Sequence, residues 1–376
     1  MGSETTDRVS KLRRAVADAR PPLPKTPRPI VIIGAGGVVR AGHLPAYEKA
    51  GFPVLAVADI EPGRAAALAA EHRIDDSFDS IKKLVRFAPL DAIFDIAVPA
   101  SQLVHVLCEL PAQAAVLMQK PMGENIHEAD GIRQLCHERD LTAAVNFQLR
   151  YAPNHLGVLA LTREGVLGQV HDIEVQVRTY TPWHLWSFLD NSPRLEILYH
   201  SIHYLDLIRS WLGAPSSIYA KTLRHPSTPH LAPTRSVMIL DYGDAARVFI
   251  ATQHGHDIAP SSQLSFIQWE GTHGAIRMGM GLNLDYPKGQ PDTLAYVERG
   301  DRPPQWHDLP VSESWFPDAF IGSMGSLQAY VEGSAKDLPT NVDAAFETMA
   351  MVEAAYRSSE RGGEPVITRT ELGDRA

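Results

Sequence analysis

Lys120 is placed where it could act on the oxygen of a substrate. The apolar residues 114–118 precede it, and Pro121 follows it directly. Because proline has no N–H to donate to a strand ladder, we expect a buried strand that ends at Lys120. Removal of a hydride from an alcohol carbon requires that the hydroxyl proton be taken up or that the developing alkoxide be stabilised. An ammonium group at a strand end can provide this stabilisation, although a solvated lysine is the commoner fate of this residue type.

His203 is the candidate for handling the proton. It lies in a predicted helix, residues 195–212, whose apolar side chains recur at helical spacing. An imidazole changes its charge near neutral pH and is the side chain most often used as a general base. Tyr199 lies one turn earlier and could donate or relay a proton, and His200 follows it. The alternative for His203 is a histidine packed in the core.

The histidines also raise the question of a metal site. His200 and His203 are separated by three positions, and His254 and His256 occur in the sequence QHGHD. A zinc site needs three or four convergent ligands, and the sequence contains no compact ligand motif. We therefore expect no metal.

The candidate substrate residues combine aromatic and polar side chains. Trp183 and His184 lie in the sequence TPWHLW after a predicted strand, and aromatic rings bind the C–H faces of sugars while polar groups bind the hydroxyls. Arg150 has a planar fork that could hold vicinal hydroxyls or a carboxylate. The predicted substrate-binding residues are Arg150, Trp183, His184, His200 and His203. Tryptophans in a core or in a subunit contact are an equally good interpretation of TPWHLW.

A glycine-rich turn near the N-terminus predicts a dinucleotide site. An apolar run at residues 30–33 leads into the sequence GAGGVV and then into a helical stretch. Such a turn lets a pyrophosphate approach the N-terminus of a helix. Val39 replaces the third glycine of the usual pattern. The predicted cofactor-binding residues are Gly34, Gly36, Gly37, Val38, Val39, Asp59, Pro99, Gln119 and Lys120.

Asp59 favours NAD over NADP as the cofactor. It ends the second predicted strand, 23 residues after Gly36. This is close to the position at which an acidic residue binds the ribose hydroxyls of the adenosine. A carboxylate there would repel a 2′-phosphate. Arg64 lies close by in the sequence and weakens this preference without reversing it.

The elements that position these residues form two domains. Residues 29–150 alternate short, continuously apolar strands with helical stretches, which predicts a doubly wound, parallel α/β sheet. The predicted strands are 30–33, 54–58, 92–98, 115–118 and 142–147. Residues 151–376 contain a strand at 170–180 that alternates apolar and polar residues. Further strands are predicted near residues 217–223, 236–242, 247–253, 262–269 and 275–280. We expect an α+β domain with an open, mostly antiparallel sheet that binds substrate and oligomerises. Residues 1–28, which end in a Pro-rich spacer, are predicted to be an arm or a short helix outside the fold.

Composition and charge argue against several classes of partner. The chain has 376 residues, of which 44% are hydrophobic, and a net charge of −9, which argues against nucleic acids and anionic membranes. Its two cysteines, Cys108 and Cys136, form no disulfide framework and suit a reducing compartment. The sequence has no apolar run long enough to span a bilayer and no signal-peptide pattern at its N-terminus. We therefore expect a cytoplasmic protein.

The order of these motifs resembles that of the Gfo/Idh/MocA family of oxidoreductases, from about residue 30 to residue 367. The resemblance rests on the glycine turn followed by HLPAY, on QKP at residues 119–121, on NFQLRYAP at 146–153 and on HSIHYLDLIRSWLG at 200–213. The family has Glu-Lys-Pro at the second motif, and it has Asp-x-x-x-His in the helix that carries its catalytic histidine. Tyr199 stands at the position of that aspartate, so the carboxylate that would tune His203 is missing.

The resemblance implies an activity and a set of site residues. It implies a Rossmann domain with a bound nicotinamide, an open-sheet second domain, and hydride transfer at a secondary alcohol of a sugar, cyclitol or related polyol. It also implies a homodimer or homotetramer. Lys120, His203 and Tyr199 are then the predicted catalytic residues. Two alternatives are a glycoside-cleaving enzyme that uses tightly bound NAD for a transient oxidation, and a nucleotide-binding regulatory protein without catalysis.

Overall fold

The computed structural model of the chain describes residues 2–301, 303–311 and 313–363. A parallel sheet lies in the N-terminal half of the described residues. Its strands are β1 (Ile30–Ile33), β2 (Val54–Ala58), β3 (Asp76–Phe78), β4 (Ile93–Ile96), β5 (Ala115–Gln119) and β6 (Thr142–Asn146). Their order across the sheet is β3-β2-β1-β4-β5-β6, which is the strand order of the doubly wound dinucleotide-binding fold. The predicted α/β architecture of this half is therefore confirmed.

Helices cover both faces of this sheet. The helices of this half are α1 (Gly2–Ala17), which precedes the sheet, α2 (Leu44–Ala50), α3 (Arg64–His72), α4 (Ile81–Phe87), α5 (Leu103–Glu109) and α6 (Ile126–Glu138). Every residue of β1 is at most 1% exposed. Val31 and Ile33 belong to one core cluster, whereas Ile30 and Ile32 belong to another. The continuous apolar run of this strand thus reflects burial on both faces.

A larger sheet lies in the C-terminal half of the described residues. Its strands are β7 (Val170–Arg178), β8 (Ser217–Leu223), β9 (Arg235–Asp241), β10 (Arg247–Gln253), β11 (Leu264–Gly271), β12 (Gly274–Gly279), β13 (Thr293–Glu298) and β14 (His307–Leu309). Their order is β14-β13-β12-β11-β7-β10-β9-β8. The β7 and β10 strands pair in parallel, and the other neighbours pair antiparallel. Ile173, Val175 and Val177 of β7 are buried, while Glu174 and Gln176 between them are partly exposed, as the alternation predicts.

The helices of the C-terminal half connect the two sheets. They are α7 (Pro153–Arg163), α8 (Ile202–Leu212), α9 (Trp315–Glu332) and α10 (Val342–Arg361). Helix α9 contacts α2, β5 and β6 of the first half, and α10 contacts α6 as well as α8 and β8. A π-helical turn, Ile197–Ser201, precedes α8. In the part of the chain that the structure describes, no helix has the length and apolarity needed to span a bilayer.

Residues 2–17 form a helix that packs against the rest of the protein, which corrects the expectation that this segment lies outside the fold. Leu12 and Val16 of α1 are at most 9% exposed, and the helix lies against α7. Arg8 donates a hydrogen bond to the carboxylate of Glu298 at 2.8 Å. Two apolar residues one helical turn apart form a stripe on one face of the helix, and α7 supplies the surface that buries it.

Candidate active site

The glycine turn lies after β1, and its outer side is open. Gly34 has φ +104°, and a Cβ at this position would collide with the carbonyl oxygen of Ala97, so the backbone geometry requires glycine. A Cβ on Gly36 or Gly37 would meet no described atom within 4 Å. Val39 is fully buried among the side chains of the core. The turn therefore has room for the phosphates of a dinucleotide, and Val39 fills the space between helix and sheet.

Asp59 is held beside the glycine turn by the backbone. One of its carboxylate oxygens accepts a hydrogen bond from the N–H of Ala35 at 2.7 Å, and the other accepts one from the N–H of Glu61 at 2.8 Å. Arg64 lies 3.8 Å from the same carboxylate. An open phosphate turn with a fixed carboxylate at the end of the next strand fits a nicotinamide dinucleotide.

Further predicted cofactor residues lie on the same edge of the sheet. Val38 is partly buried just after the turn, Pro99 is exposed after β4, and Gln119 is the last residue of β5. The side-chain oxygen of Gln119 accepts a hydrogen bond from the N–H of Lys120 at 3.0 Å. In doubly wound sheets, ligands bind at the carboxyl ends of the strands, where the strand order reverses. In this sheet the reversal lies between β1 and β4.

Lys120 connects the two halves of the protein. Its Nζ donates a hydrogen bond to the carbonyl oxygen of Tyr199 at 2.5 Å. Tyr199 belongs to the π-helical turn that precedes α8. Burial disfavours the ammonium form and lowers the pKa of Lys120 to about 8. At neutral pH this lysine keeps most of its charge, but it releases a proton more easily than a solvated lysine.

His203 and Tyr199 differ in how they can take part in proton transfer. Burial and then the charge of Lys120 lower the pKa of His203 well below its usual value. The Nδ1 atom of His203 is buried and has no hydrogen-bond partner among the described residues. Burial, followed by the charge of Glu124, raises the pKa of Tyr199 to about 12. The imidazole is therefore neutral at ordinary pH, and the phenol stays protonated.

The TPWHLW segment is partly packed into the protein. Trp183 is 8% exposed, and its ring centre lies 5.3 Å from that of His254 and 6.2 Å from that of Trp186. The ring of His200 lies 4.2 Å from that of His254. His184 is exposed. The structure thus brings Trp183 and His200 together around His254 and leaves His184 at the surface.

Arg150 does not offer a free fork to a substrate. Its Nε and Nη2 donate hydrogen bonds to the two carboxylate oxygens of Asp206, at 2.5 and 2.7 Å. Thr348 donates a third hydrogen bond to this carboxylate at 3.0 Å, and Arg209 lies 3.7 Å from it. The fork formed by Nε and Nη2 is thus bound to a buried acid of α8, and this contact weighs against the predicted role of Arg150 in substrate binding.

Glu196 and Asp206 lie near the site, and the sequence does not reveal their roles. Glu196 is 1% exposed, and its Oε1 lies 3.5 Å from Nε2 of His254. Glu196 precedes His200 by one helical turn. The spacing Glu-x-x-x-His could therefore have indicated from the sequence that the two side chains lie on the same face. Asp206 follows His203 by three positions, and this spacing places it on the same helix face without identifying its partner.

Curated relatives match parts of the chain. The sequence is 25% identical over 181 residues to 1,5-anhydro-D-fructose reductase from Ensifer adhaerens, a match that covers 47% of this chain and 54% of the reductase. It is also 24% identical over 214 residues to the oxidoreductase YrbE from Bacillus subtilis. This second match covers 55% of this chain and 61% of YrbE. Both matches therefore span less than two thirds of the relative. Dehydrogenase aclE from Aspergillus oryzae is 22% identical over 342 residues, which cover 85% of this chain and 89% of that protein.

Solved structures share the fold over nearly the whole chain. An oxidoreductase from Agrobacterium radiobacter, determined with NAD+, L-tartaric acid and magnesium, superposes with a TM-score of 0.73 at 20% identity, over 90% of this chain and 98% of that one. The WlbA dehydrogenase from Bordetella pertussis, in complex with NADH and UDP-GlcNAcA, gives a TM-score of 0.68 at 17% identity, over 91% of this chain and 100% of that one.

Two family models match consecutive parts of the sequence. The model of an oxidoreductase family with an NAD-binding Rossmann fold matches residues 28–147. The model of the C-terminal alpha/beta domain of the same family matches residues 160–367. The two matches correspond to the two sheets of the structure and together include most of the sequence. The chain therefore belongs to the Gfo/Idh/MocA family of oxidoreductases.

Proposed function

We propose that this protein is an NAD-dependent dehydrogenase that acts on a secondary hydroxyl of a sugar, cyclitol or related polyol. The observation that carries the proposal is the position of Lys120 at the carboxyl end of β5, with its Nζ bonded to the carbonyl oxygen of Tyr199. This contact joins the cofactor-binding sheet to the segment that leads into His203. The similarity to a reductase of 1,5-anhydro-D-fructose and to a dehydrogenase that binds UDP-GlcNAcA supports a carbohydrate substrate.

The chemistry of the alcohol is divided between Lys120 and His203. Bound NAD would supply the acceptor for the hydride. An ammonium group has three donors, so Lys120 keeps donors for a substrate oxygen after its bond to Tyr199. One of them would stabilise the negative charge that develops on that oxygen. The neutral imidazole of His203 would accept the hydroxyl proton and would return it in the reverse reaction.

We assign cofactor binding to residues 29–150, and we assign substrate binding and subunit contacts to residues 151–376. Exposed apolar residues on β8 and β9 support the subunit contact. Tyr219 is 61% exposed, and Ile239, which lies directly opposite it in the sheet, is 51% exposed. Contiguous apolar surface of this kind marks protein interfaces. We therefore propose a homodimer or homotetramer in which this open face of the sheet is covered.

The proposed activity is tested by incubating the purified protein with NAD and a panel of sugars, cyclitols and other polyols. NADH absorbance and chromatography of the substrate are recorded together. Net NADH with one oxidised product supports a dehydrogenase. Cleavage of a glycoside without net NADH would replace this proposal with redox-assisted glycoside cleavage. Binding of NAD without turnover of any compound would favour a regulatory protein.

We expect kcat/KM for polyol oxidation to fall as the pH rises through about 8. Burial places the pKa of Lys120 there, and the ammonium form is present below that pH. A neutral amine stabilises an alkoxide poorly, so the loss of the proton should slow the reaction. The pH profile should show no inflection from His203 near the ordinary imidazole pKa of about 6.5. The pKa of His203 is lowered well below this value, so the imidazole is already neutral at that pH.

The pH profile would be measured between about pH 6 and about pH 9.5. Lys120→Arg is the control, because a guanidinium stays charged over this range and should remove the descending limb from whatever activity remains. A rate that rises through pH 8 would instead give the proton-accepting role to neutral Lys120.

Asp59→Asn, which keeps the size of the side chain, should weaken NAD binding by about 10- to 150-fold, because a hydrogen bond to a charged group is worth about 1.5–3 kcal/mol. The affinity for NADP should stay the same or rise, since the repulsion of the 2′-phosphate is lost. Fluorescence titration of both cofactors measures the difference. Arg64→Ala is the matched control, because Arg64 is half-exposed and 3.8 Å from Asp59, and it should change NAD affinity by less than about threefold. Equal losses for the two cofactors would contradict the preference for NAD.

A further inference from the structure

A carboxylate and two imidazoles converge beside the candidate active site. Glu196, His200 and His254 each offer one potential ligand atom, and these atoms all lie within 4.8 Å of one another. Glu196 and His200 lie one helical turn apart before α8, and His254 follows directly after β10. Glu196 and His254 are each 1% exposed. This cluster, the Glu196–His200–His254 triad, is therefore built by two separate elements in the protein interior.

Two nitrogens of the triad lack the hydrogen bonds that buried polar atoms normally make. His200 Nδ1 and His254 Nε2 are both buried and have no hydrogen-bond partner among the described residues. His254 Nε2 lies 3.5 Å from Oε1 of Glu196 without the geometry of a hydrogen bond. Two ligands about 2 Å from one tetrahedral ion are roughly 3.3 Å apart, so this pair already has the separation that a shared ion needs.

The contacts around the triad match those that orient metal ligands. His254 Nδ1 lies 2.9 Å from the hydroxyl oxygen of Thr181. When Nδ1 carries the proton and donates it to Thr181, the lone pair of Nε2 is free, which is the usual arrangement of a metal-binding histidine. Ser201 donates to Oε1 of Glu196 at 2.6 Å, and Ser236 donates to Oε2. Outer contacts thus hold two of the three ligands in place.

We propose that Glu196, His200 and His254 bind one divalent first-row transition-metal ion, with Zn²⁺ as the probe. A ligand set of two histidines and one glutamate leaves a coordination position open, as in catalytic rather than structural zinc sites. That position takes water or another oxygen ligand. The sequence argues against a metal because it shows no compact motif, whereas the structure brings His254 from the end of β10 to the turn that carries Glu196 and His200. Metal binding does not depend on the proposed dehydrogenase activity.

The proposal is tested on the full chain, without a histidine tag, after treatment with a chelator. Isothermal titration with Zn²⁺ and metal analysis after gel filtration should give one ion per chain with a Kd of about 1 μM or tighter. His254→Ala and Glu196→Gln should each weaken binding by at least about 100-fold. His256→Ala is the matched control, because His256 belongs to the same QHGHD sequence but contacts Ser262 at 2.7 Å instead of the triad, and it should bind as the unmodified chain does.

Spectroscopy keeps the test decisive if a variant folds poorly. Co²⁺ bound to the unmodified chain should give the visible absorption of a four- or five-coordinate site, and Zn²⁺ X-ray absorption should show nitrogen and oxygen ligands that include two imidazoles. Failure of the unmodified chain to bind Zn²⁺ would overturn the proposal. Stoichiometric binding that persists in folded His254→Ala and Glu196→Gln, or that is lost in His256→Ala, would also overturn it. These readouts use neither NAD nor a polyol, so they are separate from the test of the proposed function.

Discussion

Lys120→Met is expected to lower kcat by roughly 10³-fold and to leave the affinity for NAD nearly unchanged. Methionine keeps most of the aliphatic stem but has no donor for a substrate oxygen and no positive charge. The substitution should therefore slow the step in which negative charge develops on the substrate oxygen. An interaction that is made mainly in the transition state affects kcat more than it affects ground-state binding. Steady-state kinetics on the polyol identified by the panel, together with NAD titration, would measure both effects.

The stability of the same variant separates a catalytic role from a structural one. Burial lowers the pKa of Lys120 to about 8, and an unfolded lysine has a pKa of about 10.4. The folded state therefore holds the proton less tightly, so below pH 8 the charged lysine opposes folding, and this penalty disappears as the pH rises from about 8 to about 10.4. At neutral pH, Lys120→Met removes this penalty but also removes the hydrogen bond to the carbonyl oxygen of Tyr199, so the two effects oppose each other and the thermal midpoint should change little. The exposed Lys83 provides a control, because Lys83→Met should leave kcat unaltered. A kcat for Lys120→Met close to that of the unmodified chain would remove Lys120 from the mechanism.

Asp206→Ala is expected to lower the free energy of unfolding by about 3–5 kcal/mol. Asp206 is 1% exposed and accepts two hydrogen bonds from Arg150 and one from Thr348. Removing its carboxylate leaves the guanidinium of Arg150 largely buried without a counter-charge, and Arg209 loses a charge 3.7 Å away. Denaturant unfolding followed by circular dichroism would measure the change.

Two comparisons show whether burial is the cause of that loss. Asp172→Ala removes a carboxylate whose partner, Arg247, is mostly exposed, and it should cost no more than about 1 kcal/mol. The double substitution Arg150→Met and Asp206→Leu removes both buried charges and should recover a large part of the loss. A cost for Asp206→Ala as small as that for Asp172→Ala would mean that water reaches Arg150 and replaces the acid.

Strong local patterns predicted most of the fold. The strands β1, β2, β5 and β6 coincide closely with continuous apolar runs, because a strand buried on both faces requires apolar side chains at every position. The β3 strand, Asp76–Phe78, has three residues of mixed polarity and therefore too little pattern to be predicted. The β13 and β14 strands were missed as well. They pair at the edge of the larger sheet, where the neighbouring strand rather than the local sequence decides the pairing.

The sequence by itself determined the doubly wound domain, the glycine turn with Asp59 beside it, and the placement of Lys120 at a strand end. Each of these depends on residues within one strand and its adjoining turn. Only the tertiary structure decided that Lys120 meets the carbonyl of Tyr199, that Arg150 is bound to Asp206, and that Glu196 and His200 meet His254. The physical reason is that periodicity indicates which face of an element is buried, but not which element covers that face. The partners of buried charged and imidazole groups are therefore determined by packing between distant segments.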